Sequence, residues 1–357
     1  MKPFFLFIYV FLTVHLFAAV RTVSNNPNTI AQFNTIQAAV DASASGDSIY
    51  VHGSATSYAN FTITDKRLII IGPGWSPQRS FQPLKAILQS ITFAGTGSDF
   101  SEIQGLVITG VVTCGFNHPN NLHFIRNQFS HQVIINYGTA VYTGYVFQDN
   151  WFDNGSMVIG NSNNSYVNCL FQNNIFYSSS TTTSNVYGLG TCSNVVFDHN
   201  FWYGPSSGSG ICFSGGCSQL LLTNNIFVHR NAAANNTFSI FNNNITFSSG
   251  VDNPWDAAYS NSGSGNVQGQ DPQMVSQTAV NTGTDDALLD FTIASGPANN
   301  SGTDGKDMGL LFDPSGLLNW ANSRMSRLPF VYKLTITNSV IASGGTLNVQ
   351  VEARKSN

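Results

Sequence analysis

Charge is scarce in this sequence. Lys, Arg, Asp and Glu make up 9% of its 357 residues, against roughly a quarter in ordinary soluble chains. The formal net charge is −4 and no Lys/Arg-rich run occurs, so a phosphate backbone finds no electrostatic footprint and nucleic acid is excluded as an expected partner. Cys-x-x-Cys spacing is missing too, which removes the usual zinc framework. The one extended apolar run, Phe4 to Phe17, follows Lys2 and stops at Ala18 and Ala19. It is short for a membrane span and ordered like an export signal. Residues 1–20 are therefore read as a signal peptide, and the protein as secreted or held at the cell surface.

What is abundant is Phe, with 27 residues, and one phrase written six times: FIRNQF, FQDNWF, FQNNIF, FDHNFW, LTNNIF and FNNNIT. Aligned on Asn127, Asn150, Asn174, Asn200, Asn225 and Asn244, the copies are 23, 24, 26, 25 and 19 residues apart, the range of a solenoid. Period-2 alternation points the residues three before the Asn (Phe124, Phe147, Phe171, Phe197, Leu222, Phe241) and two after it (Phe129, Phe152, Phe176, Trp202, Phe227) into the core. The Asn itself falls at the turn between those strands, where it tolerates left-handed backbone and its amide can bond to the coils above and below. IQGLVI (Ile103 to Ile108) fits the phrase with Leu106 in the Asn place, IIGPGW (Ile70 to Trp75) fits it more loosely, and SITFAG supplies a strand between them. The five cysteines allow at most two disulfides. Cys192 and Cys217 each stand eight positions before a repeat Asn, and both a bridge and a stack of buried thiols suit coils about 4.8 Å apart.

Ahead of the repeat, Ile36, Ala39 and Val40 lie on one face of a short amphipathic helix ending near Gly46, with a first strand at Ser48 to Val51. Such a helix would cap the open end of a stack of coils. In order and spacing, TIQAAV, GDSIYV, NFTI and RLIIIGPGW resemble the opening of secreted right-handed parallel β-helix proteins of the pectin-lyase-like superfamily. With the repeat, the resemblance covers roughly Asn34 to Gly309. It implies an all-β, single-stranded right-handed parallel β-helix with an N-terminal capping helix. The Asn series resembles the internal asparagine ladder of that fold. Residues 21–325 are assigned to the β-helix. QDPQMV, DFTIASGPA and TDGKDMG resemble its closing coils, and Asn253 to Gly269 reads as a loop. Residues 326–357 read as a β-hairpin or small β module about Ser343-Gly344-Gly345.

With the inward positions spoken for, chemistry is sought outside. One strip, one and two positions before the Asn, holds Arg126, Gln148, Asp149, Asp198 and His199. Asp-His at 198 and 199 resembles a phrase near the Ca²⁺ site of one pectate lyase group, in which carboxylates hold the cation and a basic residue removes a proton. Asp149 and Asp198 are the candidate Ca²⁺ ligands of a lyase of that kind, and Arg126, Asp149, Asp198 and His199 the candidate catalytic residues. Gln148-Asp149 resembles a pectin methylesterase phrase, but Ser156 and Met157 stand where an acid is expected. The adjacent acids Asp285 and Asp286, where a hydrolase pair would be sought, read as a solvated turn. A second strip, three to five positions after the Asn, offers Asp153, Tyr177, Tyr203, His229 and Arg230, rings and polar groups suited with Gln148 to a sugar chain. No catalytic set is complete. The sequence thus reads as a monomeric β-helix that binds polysaccharide or forms a structural or adhesive rod, ahead of a polysaccharide-active enzyme, lyase before hydrolase before esterase.

Overall fold

The computed structural model describes residues 18–311 apart from 76–83, 115–116, 118, 137, 139, 156 and 207–209, together with the strands Phe330–Ile336 and Val349–Arg354. The export run Phe4 to Phe17 lies outside the described residues.

The chain winds into a parallel β-solenoid of about 10 turns. A first sheet is built from the strand preceding each repeat Asn, among them His123–Ile125, Val146–Gln148 and Leu170–Gln172, paired in parallel with Phe124, Phe147 and Phe171 in register. A second, 8-stranded sheet takes the strand that follows the Asn, from Ile87–Leu88 to Ile245–Phe247. A third face begins at Phe61–Thr64 and Ile91–Ala94 and continues into the long strands Val158–Val167 and Val186–Asp198, which bend round the corner.

Both aromatic columns point inward. Ring centroids are 5.1, 4.8 and 4.3 Å apart along Phe124, Phe147, Phe171 and Phe197. Along Phe129, Phe152, Phe176, Trp202 and Phe227 they are 5.0, 4.6, 4.7 and 4.8 Å apart. Each ring contributes about 1.5–3 kcal/mol by burial, and offset stacking adds roughly 0.5–1.5 kcal/mol per pair. Leu106 does stand in the Asn place: its backbone N–H donates to Asn127 Oδ1 at 3.1 Å.

The Asn series is a buried ladder. Asn174 Nδ2 donates to Phe147 O at 2.8 Å and to Asn200 Oδ1 at 2.9 Å, while its own Oδ1 accepts from the backbone and side chain of Asn150 at 2.9 and 3.0 Å. Left-handed backbone, however, falls on the residue before each ladder Asn: Arg126, Asp149, Asn173, His199, Asn224 and Asn243, at φ between 51° and 58°. The ladder residue keeps ordinary φ so that its amide can point along the axis. A second left-handed position recurs six residues before the ladder Asn, at Asn121, Gly144, Asn168, Asn194 and Gln219.

Three expectations need correction. The helix α1 (Ile36–Ala42), capped by Thr35, buries the expected Ile36, Ala39 and Val40. It does not precede the coils, because Val20–Val23 already pairs with Ser48–Val51. The supposed loop Asn253 to Gly269 contains a further coil, in which Ser262–Ser264 pairs with Ile240–Asn242 and Asn266 Oδ1 accepts from Asn244 Nδ2 at 3.1 Å. Its aromatic signal is lost because Gly263 lies against Phe241, leaving room for no side chain; Trp255 packs against the core there instead.

The third correction concerns the acidic, Gly-rich segments after Gln270. They add no coil; they fold back along the solenoid as a strap. Met274, Val280, Ala287, Phe291, Ala298, Met308 and Leu310 pack on the outer face of the second sheet, against Ile175, Phe201, Tyr203, Ile226 and Val228. That sheet is therefore buried on both faces. Farther along the chain, Phe330–Ile336 and Val349–Arg354 pair antiparallel; the Ser343-Gly344-Gly345 turn expected between them lies outside the described residues.

Asn174→Ala removes a donor to Phe147 O and leaves the Asn150 and Asn200 amides short of a partner inside the core. A loss of roughly 3–5 kcal/mol in guanidinium unfolding is expected, against under about 1 kcal/mol for Gln172→Ala on the half-exposed face.

Candidate functional site

The strap decides which polar residues remain available. Arg126, Asp149 and His199 form one column with Asn173 and Asn224, all buried. Arg126 Nη2 lies 3.8 Å from Asp149 Oδ2, and Asn173 Nδ2 donates to Asp149 Oδ1 at 2.6 Å. Asn173 Oδ1 accepts from Leu311 N at 2.7 Å, His199 Nδ1 meets Gly309 O at 2.8 Å, and Asn224 Oδ1 accepts from Thr303 N at 2.7 Å. His199 Nε2 lies 3.4 Å from Asp304 Oδ2. Burial opposes the charge on Asp304, but the Lys306 backbone N–H, then His199 and Lys306, outweigh it and hold the carboxyl below its usual range. In this column, expected to face solvent, Asn173, His199 and Asn224 seat the strap.

Asp198 stays partly exposed, yet its oxygens accept from Gln172 Nε2 at 2.9 Å, Thr223 Oγ1 at 2.7 Å and Asn224 Nδ2 at 2.8 Å. With Asp149 paired to Arg126 and Asp198 filled by neutral donors, the two do not fit a Ca²⁺ site. Among the described residues no group of three His, Cys, Asp or Glu side chains is placed to hold a metal.

The second strip is likewise largely covered. Tyr177 and Tyr203 are buried, donating to Gly283 O at 2.9 Å and Thr284 O at 3.0 Å of the strap. His229 is buried against Gly204 O. Arg230, 1% exposed, donates to the carbonyls of Ser178, Ser180, Thr183 and Ile211 and to Asn185 Oδ1. The guanidinium clamps a side loop, its charge met by carbonyl dipoles instead of a carboxylate. All five cysteines are buried free thiols, so Cys192 and Cys217 are unbridged. Burial pushes the Cys217 thiol up to about 11, far from the thiolate that disulfide exchange requires.

Asp153 keeps partial exposure, along with Gln148. Its Oδ2 accepts from Gln128 Nε2 at 3.0 Å and Ser130 Oγ at 2.8 Å. The strap turn brings Asp285, itself next to Asp286, within electrostatic reach of it, and Lys85 lies within reach as well. Asp285 retains solvent contact, but crowding beneath the turn, then Asp153 and Asp286, push its carboxyl up to about 6.

Sequence reasoning passed over one open feature. Phe238 and Phe100 occupy the second left-handed position, at φ 55° and 62°, with 68% and 55% of their surface exposed. Bulky residues are rare in that backbone. Beside Phe238 run two shallow grooves lined by Thr191, Asn194, Ser218, Gln219, Thr237 and the half-exposed Ile240, with no charged side chain on either. The signal available beforehand was a Phe at a corner where other coils carry Asn, Gly or Gln.

No family model matches the chain, and no curated protein matches it.

A carboxyl whose folded pKa is raised binds its proton more tightly when folded, so the contribution of Asp285 to stability is present below its unfolded value of 3.8 and lost as the pH climbs toward about 6. Asp285→Asn should therefore flatten the melting temperature across that window and leave the variant the more stable protein at neutral pH. Hydrogen exchange in the turn around residue 285, followed against pH in both proteins, checks the same effect locally.

Proposed function

We propose that this β-helix binds a neutral polysaccharide at the corner groove beside Phe238, and that it does so outside the cell, as the export-like N-terminus suggests. The observation that carries the reading is an exposed ring held in strained backbone. Left-handed geometry costs a non-Gly residue roughly 1–2 kcal/mol, and a phenyl that keeps 68% of its surface exposed regains little by burial. Strain with so little folding return points to a ligand. The C–H face of a sugar stacks on such a ring, and the Asn, Gln, Ser and Thr side chains beside it complement ring hydroxyls. The uncharged lining favours a neutral sugar over a uronate.

A second reading, glycoside hydrolysis, draws on Asp153 and Asp285. Their crowded carboxyls differ in environment, as a general acid and its partner must. Asp153 is nevertheless already engaged by Gln128 and Ser130, which favours binding over chemistry.

The test is titration calorimetry against xylan, β-glucan, galactan and polygalacturonate, with a reducing-end assay run alongside. Neutral polymers should bind without cleavage. Phe238→Asn, which suits the left-handed backbone, should weaken binding about tenfold or more, the equivalent of about 1.4 kcal/mol, while raising the melting temperature. Binding confined to polygalacturonate, or unaffected by Phe238→Asn, would overturn the reading.

A further inference from the structure

The corner that carries Phe238 carries Phe100 as well, and the two rings are in register. Strand pairing places Phe100 beside Asn121 (Glu102 opposite His123), then Gly144, Asn168, Asn194, Gln219 and Phe238 on successive coils. The backbone of the corner is stitched coil to coil: Phe100 N donates to Asn120 O at 3.2 Å, Asn121 N to Thr143 O at 2.8 Å, Gly144 N to Val167 O at 2.9 Å and Asn168 N to Ser193 O at 3.0 Å. Asn194 Nδ2 donates to the exposed Asn168 Oδ1 at 2.8 Å. This row is therefore as straight and periodic as the buried ladder, but it lies on the outside. Six coil steps of about 4.8 Å separate the two phenylalanines by roughly 29 Å.

We infer that the row is one linear binding track, with Phe100 and Phe238 as its end platforms and the intervening amides as its floor, for an extended neutral polysaccharide lying parallel to the solenoid axis. The inference rests on the glycan reading of Phe238 and extends it to the ligand's shape, direction and minimum length. Three features support a chain over a single sugar. The two rings share the same strained backbone, so each carries a conformational cost that its neighbours on Asn or Gly avoid. Between them the floor offers side chains that both donate and accept, Asn121, Asn168, Asn194 and Gln219, and at Gly144 the Asn121 amide lies over the backbone in the place a side chain would fill. The strap, which buries the opposite side of the first sheet's turns, leaves Asn168, Asn194, Gln219 and both rings exposed.

Two linked platforms bind a spanning ligand with the second contact made intramolecular, so affinity should rise steeply once the ligand reaches both. The experiment uses the full chain, its Phe100→Asn and Phe238→Asn variants and the double variant, titrated with xylo- and gluco-oligosaccharides of increasing length and the parent polymers. Circular dichroism confirms that each variant keeps the fold, as Asn fits the left-handed corner. For oligomers too short to span about 29 Å, only Phe238→Asn should weaken binding. For long oligomers, wild-type affinity should climb about tenfold or more and Phe100→Asn should abolish that gain. Affinity independent of length, or long-oligomer binding unchanged by Phe100→Asn, would overturn the track and leave the Phe238 groove standing. Absence of wild-type binding to every neutral glycan would overturn the groove and the track together.

Discussion

Every coil of this protein must turn from one sheet to the next inside its own core, and a buried turn exposes backbone groups that no strand can satisfy. From Asn127 to Asn266 the amide of one Asn per coil meets that need. It bonds to the carbonyl three positions before its counterpart in one neighbouring coil, as Asn174 does to Phe147, and to the Asn of the other. The rest of the architecture depends on this arrangement. Because the Asn is anchored, the residue before it can take left-handed backbone and the flanking aromatic positions are driven inward on both sides. Only that segment is fixed in length, which explains how steps of 19 and 26 residues coexist in one stack.

The strap follows from a different constraint. A sheet whose outward positions are Ile175, Tyr177, Phe201, Tyr203, Ile226 and Val228 cannot face water, and the segment after Gln270 covers it. Its seating is polar along one edge, where Asn173, His199, Asn224 and Asn243 receive or donate main-chain bonds, and apolar along the rest. These residues were already restricted by the left-handed turn, since Asn, Asp and His tolerate it better than most. One chemical requirement thus supplied the side chains that a second one uses.

That coincidence explains what was legible in the sequence. The period, the two aromatic columns and the stacking asparagines could be read from residue types, because each is a local pattern repeated many times, and the parallel β-helix from the resemblance of the opening phrases to that fold. The exposure of Asp149, His199, Tyr177 and Arg230 could not be read. A polar residue at a turn looks the same whether it is met by water, by a side loop 50 residues away, as Arg230 is, or by a strap 138 residues away, as Asn173 is. Asn266 was overlooked because Gly263 erased the aromatic that marks a coil. The open corner was overlooked because a Phe in a phenylalanine-rich sequence is taken for core, and only its backbone angle and exposure distinguish it.

The ladder also has a sense. In every amide-to-amide bond the Nδ2 donates toward the coil that follows and the Oδ1 accepts from the coil that precedes, from Asn127 through Asn150, Asn174, Asn200, Asn225 and Asn244 to Asn266. Amide dipoles aligned head to tail reinforce one another, so the buried column is polarised along its length and its two ends are chemically unlike. At the leading end a main-chain N–H, that of Leu106, is enough to start the series; at the trailing end any additional member must bring an oxygen. A coil grafted into this scaffold is accordingly constrained by direction as well as by spacing, and the stack is a vector rather than a pile of equivalent rings.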